Sequence, residues 1–202
     1  LLGGASHIHR IKLLPPDENI ELDDSSFQEV YLYNDDIFGH DYLFVILKQG
    51  KVYSYKSLFQ DSQFDFYQKL DLPKGDVVLD SAFEENYLFL LIRSQDDTSR
   101  LEVLKIDPTK ETLLQNECTI ELTSYVETSS TRRTPQIQTK ARYTLISVFV
   151  NFPGSSFVTY SFQKPSIGIY KAYCPTPDSL IKSSYQLSDQ DTSYDFDYDL
   201  YT

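Results

Sequence analysis

Strand-sized apolar runs recur in this chain at intervals of about 45 residues, and that recurrence restricts its fold more than any other property. Tyr42-Leu43-Phe44 returns as Tyr87-Leu88-Phe89, 45 positions on (87 − 42). Around the first copy lie Glu29–Tyr33, Asp41–Lys48, Lys51–Lys56 and Tyr67–Leu72, with a turn at Gln49-Gly50. Around the second lie Val77–Phe83, Tyr87–Arg93, Leu101–Ile106 and Cys118–Leu122 in the same order. A third group starts at Tyr143–Val150 and continues through Phe157–Phe162 and Ile167–Tyr173.

The interval matches the ~40–50 residues of a four-stranded propeller blade, so the expected fold is all-β: a partial β-propeller of four-stranded antiparallel blades. In each group the second strand is continuously apolar, as expected of a strand covered on both faces. The third strand alternates (Val52 and Ser54 against Tyr53 and Tyr55), as expected of one with a wet face. A β-sandwich or barrel with hairpins at similar spacing is the alternative. A complete propeller has more blades than fit here, so the chain reads as part of a larger protein or as a half-propeller completed by another chain. The propeller-like domain is expected over 1–181, with an exposed Ser/Thr-rich loop at 123–141 and an acidic-aromatic tail at 182–202.

The apolar content is mostly Leu, Ile, Val, Phe and Tyr, with Trp and Met absent. No apolar run approaches the ~20 residues that span a bilayer, so no membrane partner is expected. Leu1–Ala5 lacks the basic flank and apolar length of a secretory signal, and the start reads as a cut end. Cys118 and Cys174, without an N-x-[ST] acceptor, are expected to be two free buried thiols in a reducing compartment. A formal charge of −12 confines any nucleic-acid contact to a local patch.

Reactive groups do not converge. His7 and His9 share one strand face but have no third ligand beside them, and His40 follows Gly39 in a turn without a matched nucleophile. The pairs Asp23-Asp24, Asp35-Asp36, Glu84-Glu85 and Asp96-Asp97 fall between strands, where turn chemistry favours Asp. Seven glycines, mostly isolated, form neither a Walker loop nor G-x-G-x-x-G. The chain is therefore expected to be no enzyme and to hold no metal or cofactor.

Two features suit partners instead. Tyr194, Phe196, Tyr198, Leu200 and Tyr201 alternate with aspartates, a pattern fitted to a basic groove or to a partner's sheet edge. The alternative is a final strand closing a blade. Arg132 and Arg133 are the concentrated positive charge in mid-chain, available to a phosphate or an acidic partner.

The strand groups over residues 1–175 resemble a degenerate β-propeller of the WD-repeat superfamily, without its Gly-His and Trp-Asp signatures. Tyr143–Phe162, an apolar strand, a break at Asn151–Ser156 and a second strand, is similar to the late propeller segment of the RNA polymerase I core initiation factor's large subunit. These resemblances imply a non-catalytic interaction scaffold in an intracellular assembly, with the second implying a nuclear transcription complex and favouring nucleus over cytoplasm. The partners expected are other subunits or the remainder of a larger chain, with nucleic acid only locally. Two other readings remain: a sandwich or barrel binding a hydrophobic or carbohydrate ligand through tyrosines, and a nucleic-acid factor acting through Arg132 and Arg133.

Overall fold

Short β-branched and aromatic runs, broken by Asp, Asn, Gly and Pro, favour extended structure over helices. The computed structural model describes residues 26–58, 63–122, 135–141, 145–152, 156–163 and 183–185, and these form twelve strands and no helix. The first sheet holds β1 (Phe27–Asp35), β2 (His40–Leu47), β3 (Lys51–Leu58) and β4 (Asp65–Asp71). The second holds β5 (Val77–Glu84), β6 (Tyr87–Arg93), β7 (Ser99–Ile106) and β8 (Leu114–Glu121). In the third are β9 (Gln136–Ala141), β10 (Leu145–Phe152), β11 (Ser156–Gln163) and β12 (Ser183–Tyr185). Each sheet is an antiparallel meander whose strands lie side by side in chain order.

The chain divides into two units, Leu1–Leu122 and Thr123–Thr202. In the first unit, Tyr42, Phe44, Ile46 and Val52 of the first sheet pack against Val78, Leu88, Leu90, Ile92, Leu104 and Ile106 of the second. The reverse face of the first sheet forms another core from Leu43, Val45, Leu47, Tyr53 and Tyr55. Phe89, Leu91, Leu101 and Val103, on the reverse face of the second sheet, are likewise buried. Both β2 and β6 are therefore covered on both faces, as their continuous apolar runs predict.

The repeat and the faces together set the mode of stacking. Tyr42 and Phe44 point toward the second sheet, whereas their counterparts Tyr87 and Phe89 point away from the first; Leu43 and Val45 point away, and their counterparts Leu88 and Leu90 point back. Equivalent surfaces never meet, so the sheets stack head to tail, like successive propeller blades. A sandwich buries one face of each sheet and wets the other, and this arrangement overturns that alternative.

The stack is stitched at the β2–β3 turn, where Val78 N donates to the Lys48 carbonyl across the sheets (2.9 Å) and Leu72 N to that of Gly50 (2.8 Å). Gly50 has φ +77°, and a Cβ there would stand 3.1 Å from the Asp76 carbonyl oxygen. Only glycine combines that backbone with such an approach.

Several expectations need correction. β3 has no wet face: Val52, Tyr53, Ser54 and Tyr55 are all buried, and small Ser54 sits opposite large Phe44. Its alternation thus reflects side-chain size matched across strands. β9 lies inside the stretch expected as loop over 123–141, because pairing with β10 makes a strand of a segment whose one buried apolar residue is Ile137. β12 lies inside the expected tail at 182–202 and pairs with β11. The expected strand Ile167–Tyr173 falls outside the described residues.

Cys118 is buried and disulfide-bonded, correcting the expectation of two free thiols; Cys174 lies outside the described residues. Disulfide formation requires a Cα separation of about 5.5 Å, a tertiary property that spacing along the chain does not reveal. The reducing-compartment reading thereby loses its cysteine argument.

Phe44→Ala is expected to cost about 3–5 kcal/mol in a urea melt, against less than about 0.5 kcal/mol for Ile37→Ala at the surface. Alkylating the denatured, unreduced protein should leave Cys118 unlabelled until a reductant is added. Label at Cys118 beforehand contradicts the bond.

Candidate functional site

The β1–β2 turn raises two large apolar side chains out of an otherwise buried sheet. Asp35 and His40 face each other where the strands end. The buried Asp35 carboxylate accepts hydrogen bonds at Oδ1 from the amides of Ile37 (3.1 Å) and Phe38 (3.4 Å), while Gly39 N donates to the Asp35 carbonyl (3.0 Å). An aspartate capping the amides that follow it is what this residue does best in a tight turn. Gly39, at φ +68°, reverses the chain. The side chains left outside are Ile37, 81% exposed, and Phe38, 50% exposed. The corresponding β5–β6 turn holds only Glu85 and Asn86, so Ile37 and Phe38 occupy the longer turn of the two.

Both turns lie at one end of the unit because β1 and β5 run side by side in the same direction. Gln28 Nε2 donates to Asp80 (3.2 Å), the Tyr31 hydroxyl to the Ser81 carbonyl (2.8 Å), and the Tyr31 and Tyr33 rings contact Phe83 at 5.7 and 6.3 Å. Asp36 and Asp41, with Glu84 and Glu85 of the neighbouring turn, consequently lie at the same end of the unit as the apolar tip. Asn34 Nδ2 fixes Asp41 across the strands (2.7 Å). Lys56, one strand further out, lies 5.8 and 5.2 Å from the Tyr42 and Tyr67 ring centres. Burial pushes the hydroxyls of both Tyr31 and Tyr42 up to about 12.

His40 packs edge-on to Tyr42, and among the described residues the buried His40 Nδ1 and Asp35 Oδ2 have no hydrogen-bond partner. Among the described residues no three His, Cys, Asp or Glu side chains gather to hold a metal. The pairs Asp35-Asp36, Glu84-Glu85 and Asp96-Asp97 sit at strand ends and in turns, as their position predicts. Asp96 accepts from Thr98 N (3.2 Å) and Oγ1 (2.7 Å), and these bonds hold its carboxyl below the usual range. For Asp107 burial works upward, but the bonds from Thr109 together with the charges of Lys105 and Lys110 outweigh it and the net shift is downward.

One buried cluster was not legible as a unit. Arg100 donates through Nε to Glu102 (2.8 Å), and through its terminal nitrogens to Asp76 and Ser94. Burial alone would lower the guanidinium's pKa, yet the two carboxylates hold it above its ordinary value. Arg and Glu two apart on one strand share a face, which was the available sequence signal. Asp76, 24 positions away, gave none.

The residues singled out from sequence for binding, Tyr194, Phe196, Tyr198, Leu200, Tyr201, Arg132 and Arg133, lie outside the described residues, as do His7, His9, Asp23 and Asp24. What sequence reading missed is the tip itself, because Asn34–His40 reads as a polar connection. The signal was there in two adjacent bulky apolar residues between acid-bearing strand ends.

Four-stranded meanders stacked head to tail define a β-propeller fold. Among solved structures the chain is similar to the β-propeller domain of Nup133 from Vanderwaltozyma polyspora, with a TM-score of 0.55 at 12% identity. The likeness covers 86% of this chain and 51% of that one, so the chain spans about half the length of that domain. No protein-family model matches the sequence, and no curated protein does. No helix among the described residues is long and apolar enough to cross a membrane.

Tyr31→Phe removes the hydroxyl bond to Ser81 and should cost about 1 kcal/mol at neutral pH. A tyrosine pKa raised by folding lends stability that is complete below pH 10 and lost as pH climbs toward 12. The gap between wild type and Tyr31→Phe in urea melts should therefore narrow above pH 10. A constant gap from pH 8 to 12 contradicts this account.

Proposed function

We propose that this chain is a propeller portion serving as a non-catalytic protein-interaction scaffold in a larger assembly. The reading is carried by the Ile37–Phe38 tip, a pair of bulky apolar side chains whose turn is pinned by Asp35 and whose end of the unit also carries Asp36, Asp41, Glu84 and Glu85. A rigid fold presenting such a turn binds without any catalytic group, and apolar side chains in a charged rim are the usual anatomy of a protein contact. The acidic end of the unit selects a partner surface with basic residues around an apolar pocket.

A nuclear assembly is the setting we favour, supported by fold likeness to a propeller from the nucleoporin Nup133 and by the similarity of Tyr143–Phe162 to a transcription-factor propeller segment. The acidic-aromatic run at Tyr194–Tyr201 is a second proposed contact with protein, and Arg132 and Arg133 a local contact with phosphate.

The double substitution Ile37→Ser, Phe38→Ser tests the reading. Partners that co-purify with the native chain should bind the variant more weakly by about 2 kcal/mol, the usual loss at a contact centre, with an unchanged melting temperature. Equal binding by a variant that melts like wild type rules out the tip as the contact.

A further inference from the structure

Blade equivalence exposes a place in the first sheet that lacks a cover its counterpart has. With Tyr42-Leu43-Phe44 laid on Tyr87-Leu88-Phe89, the cross-strand pair Leu32–Leu43 corresponds to Phe83–Leu88, and Val30–Val45 to Ser81–Leu90. In the second sheet these positions are clad by the first strand of the preceding sheet, β1: Phe83 lies against the Tyr31 and Tyr33 rings, and the Ser81 carbonyl accepts the Tyr31 hydroxyl. In the first sheet, Leu43 and Val45 are buried at 8% and 1% exposure, but Leu32 and Val30 beside them stand 51% and 46% exposed. Within the first unit, the core on this face is built from the first sheet with Phe27 and Phe64, and among its described residues none comes from the second sheet.

We infer that Val30 and Leu32 seat an extended strand of a partner protein, bearing large apolar side chains at alternate positions and running along β1 as β1 runs along β5. The packing of the first sheet on the second supplies the template: side chains at i and i+2 of β1 cover side chains at i and i+2 of β5, because both strands carry the same two-residue period. On this face β1 presents Phe27, partly buried against the same core, then the exposed Val30 and Leu32, and ends at exposed Asn34, a narrow line of alternate residues that fits an extended strand. This inference rests on the scaffold reading for the existence of a partner, and adds the partner's shape and its seat.

Site-specific photocrosslinking of the full chain in its own cells tests it. p-Benzoylphenylalanine replaces Leu32, or in separate samples Phe38 or the exposed Lys110, and adducts are mapped by mass spectrometry. Position 32 should crosslink several-fold above position 110, to a partner segment whose aromatic or aliphatic residues alternate with period two. Adducts to a helical segment, to lipid, to nucleic acid or to residues 1–25 of this chain overturn the inference, as does a yield no higher than at 110. Adducts at 38 with none at 32 overturn it while leaving the scaffold reading intact; none at either position sinks both.

Discussion

Contact between the even-numbered side chains of β2 and those of β6 is the interaction on which the rest of the structure depends. Tyr42, Phe44 and Ile46 meet Leu88, Leu90 and Ile92 with almost no exposure. Each such side chain removed from water contributes about 1.5–3 kcal/mol, far more than any single polar contact nearby. Because equivalent faces do not meet, the contact has a direction. Every blade offers one surface forward and another backward, and a stack of this kind stays open until its ends are covered. The buried reverse faces of both sheets and the bare margin at Val30 and Leu32 are consequences of that polarity.

Polar groups are fitted around the stack according to what burial allows. Arg100 lies inside it with Asp76 and Glu102, where removing any partner would strand a charge away from water. Asp96 and Asp107 are taken up by their own turns, bonded to Thr98 and Thr109. Carboxylates occupied in this way are poor candidates for acid-base chemistry, and Asp36, Asp41, Glu84 and Glu85 lie together at the turn end. On the proposed reading, a partner would meet Ile37 and Phe38 there, on a turn held by the buried Asp35. Function on this reading is a matter of shape and charge at a turn whose rigidity comes from the core below.

Much of the fold could be read directly. The runs at β2 and β6 were legible as doubly covered strands because a continuous apolar run has no other low-energy place in a sheet protein. Less of β8 and β9 was legible: Leu114–Glu117 and Gln136–Ala141 are mostly polar, and became strands because β7 and β10 present unpaired edges to them. The turn residues Gly39, Gly50, Asp35 and Asp96 were visible as turn chemistry, whereas the exposure of Ile37 was not, since nothing in a polar segment says which side chain is left outside.

The sequence by itself determined the strand period and the blade interval, since these depend only on residues near one another along the chain. The tertiary structure alone decided which face meets which, that Arg100 finds Asp76, that Cys118 is bonded, and that Val30, Leu32, Ile37 and Phe38 are left exposed. Those outcomes depend on groups brought together from distant positions by apolar burial, a force without direction that acts on whole faces rather than on neighbours.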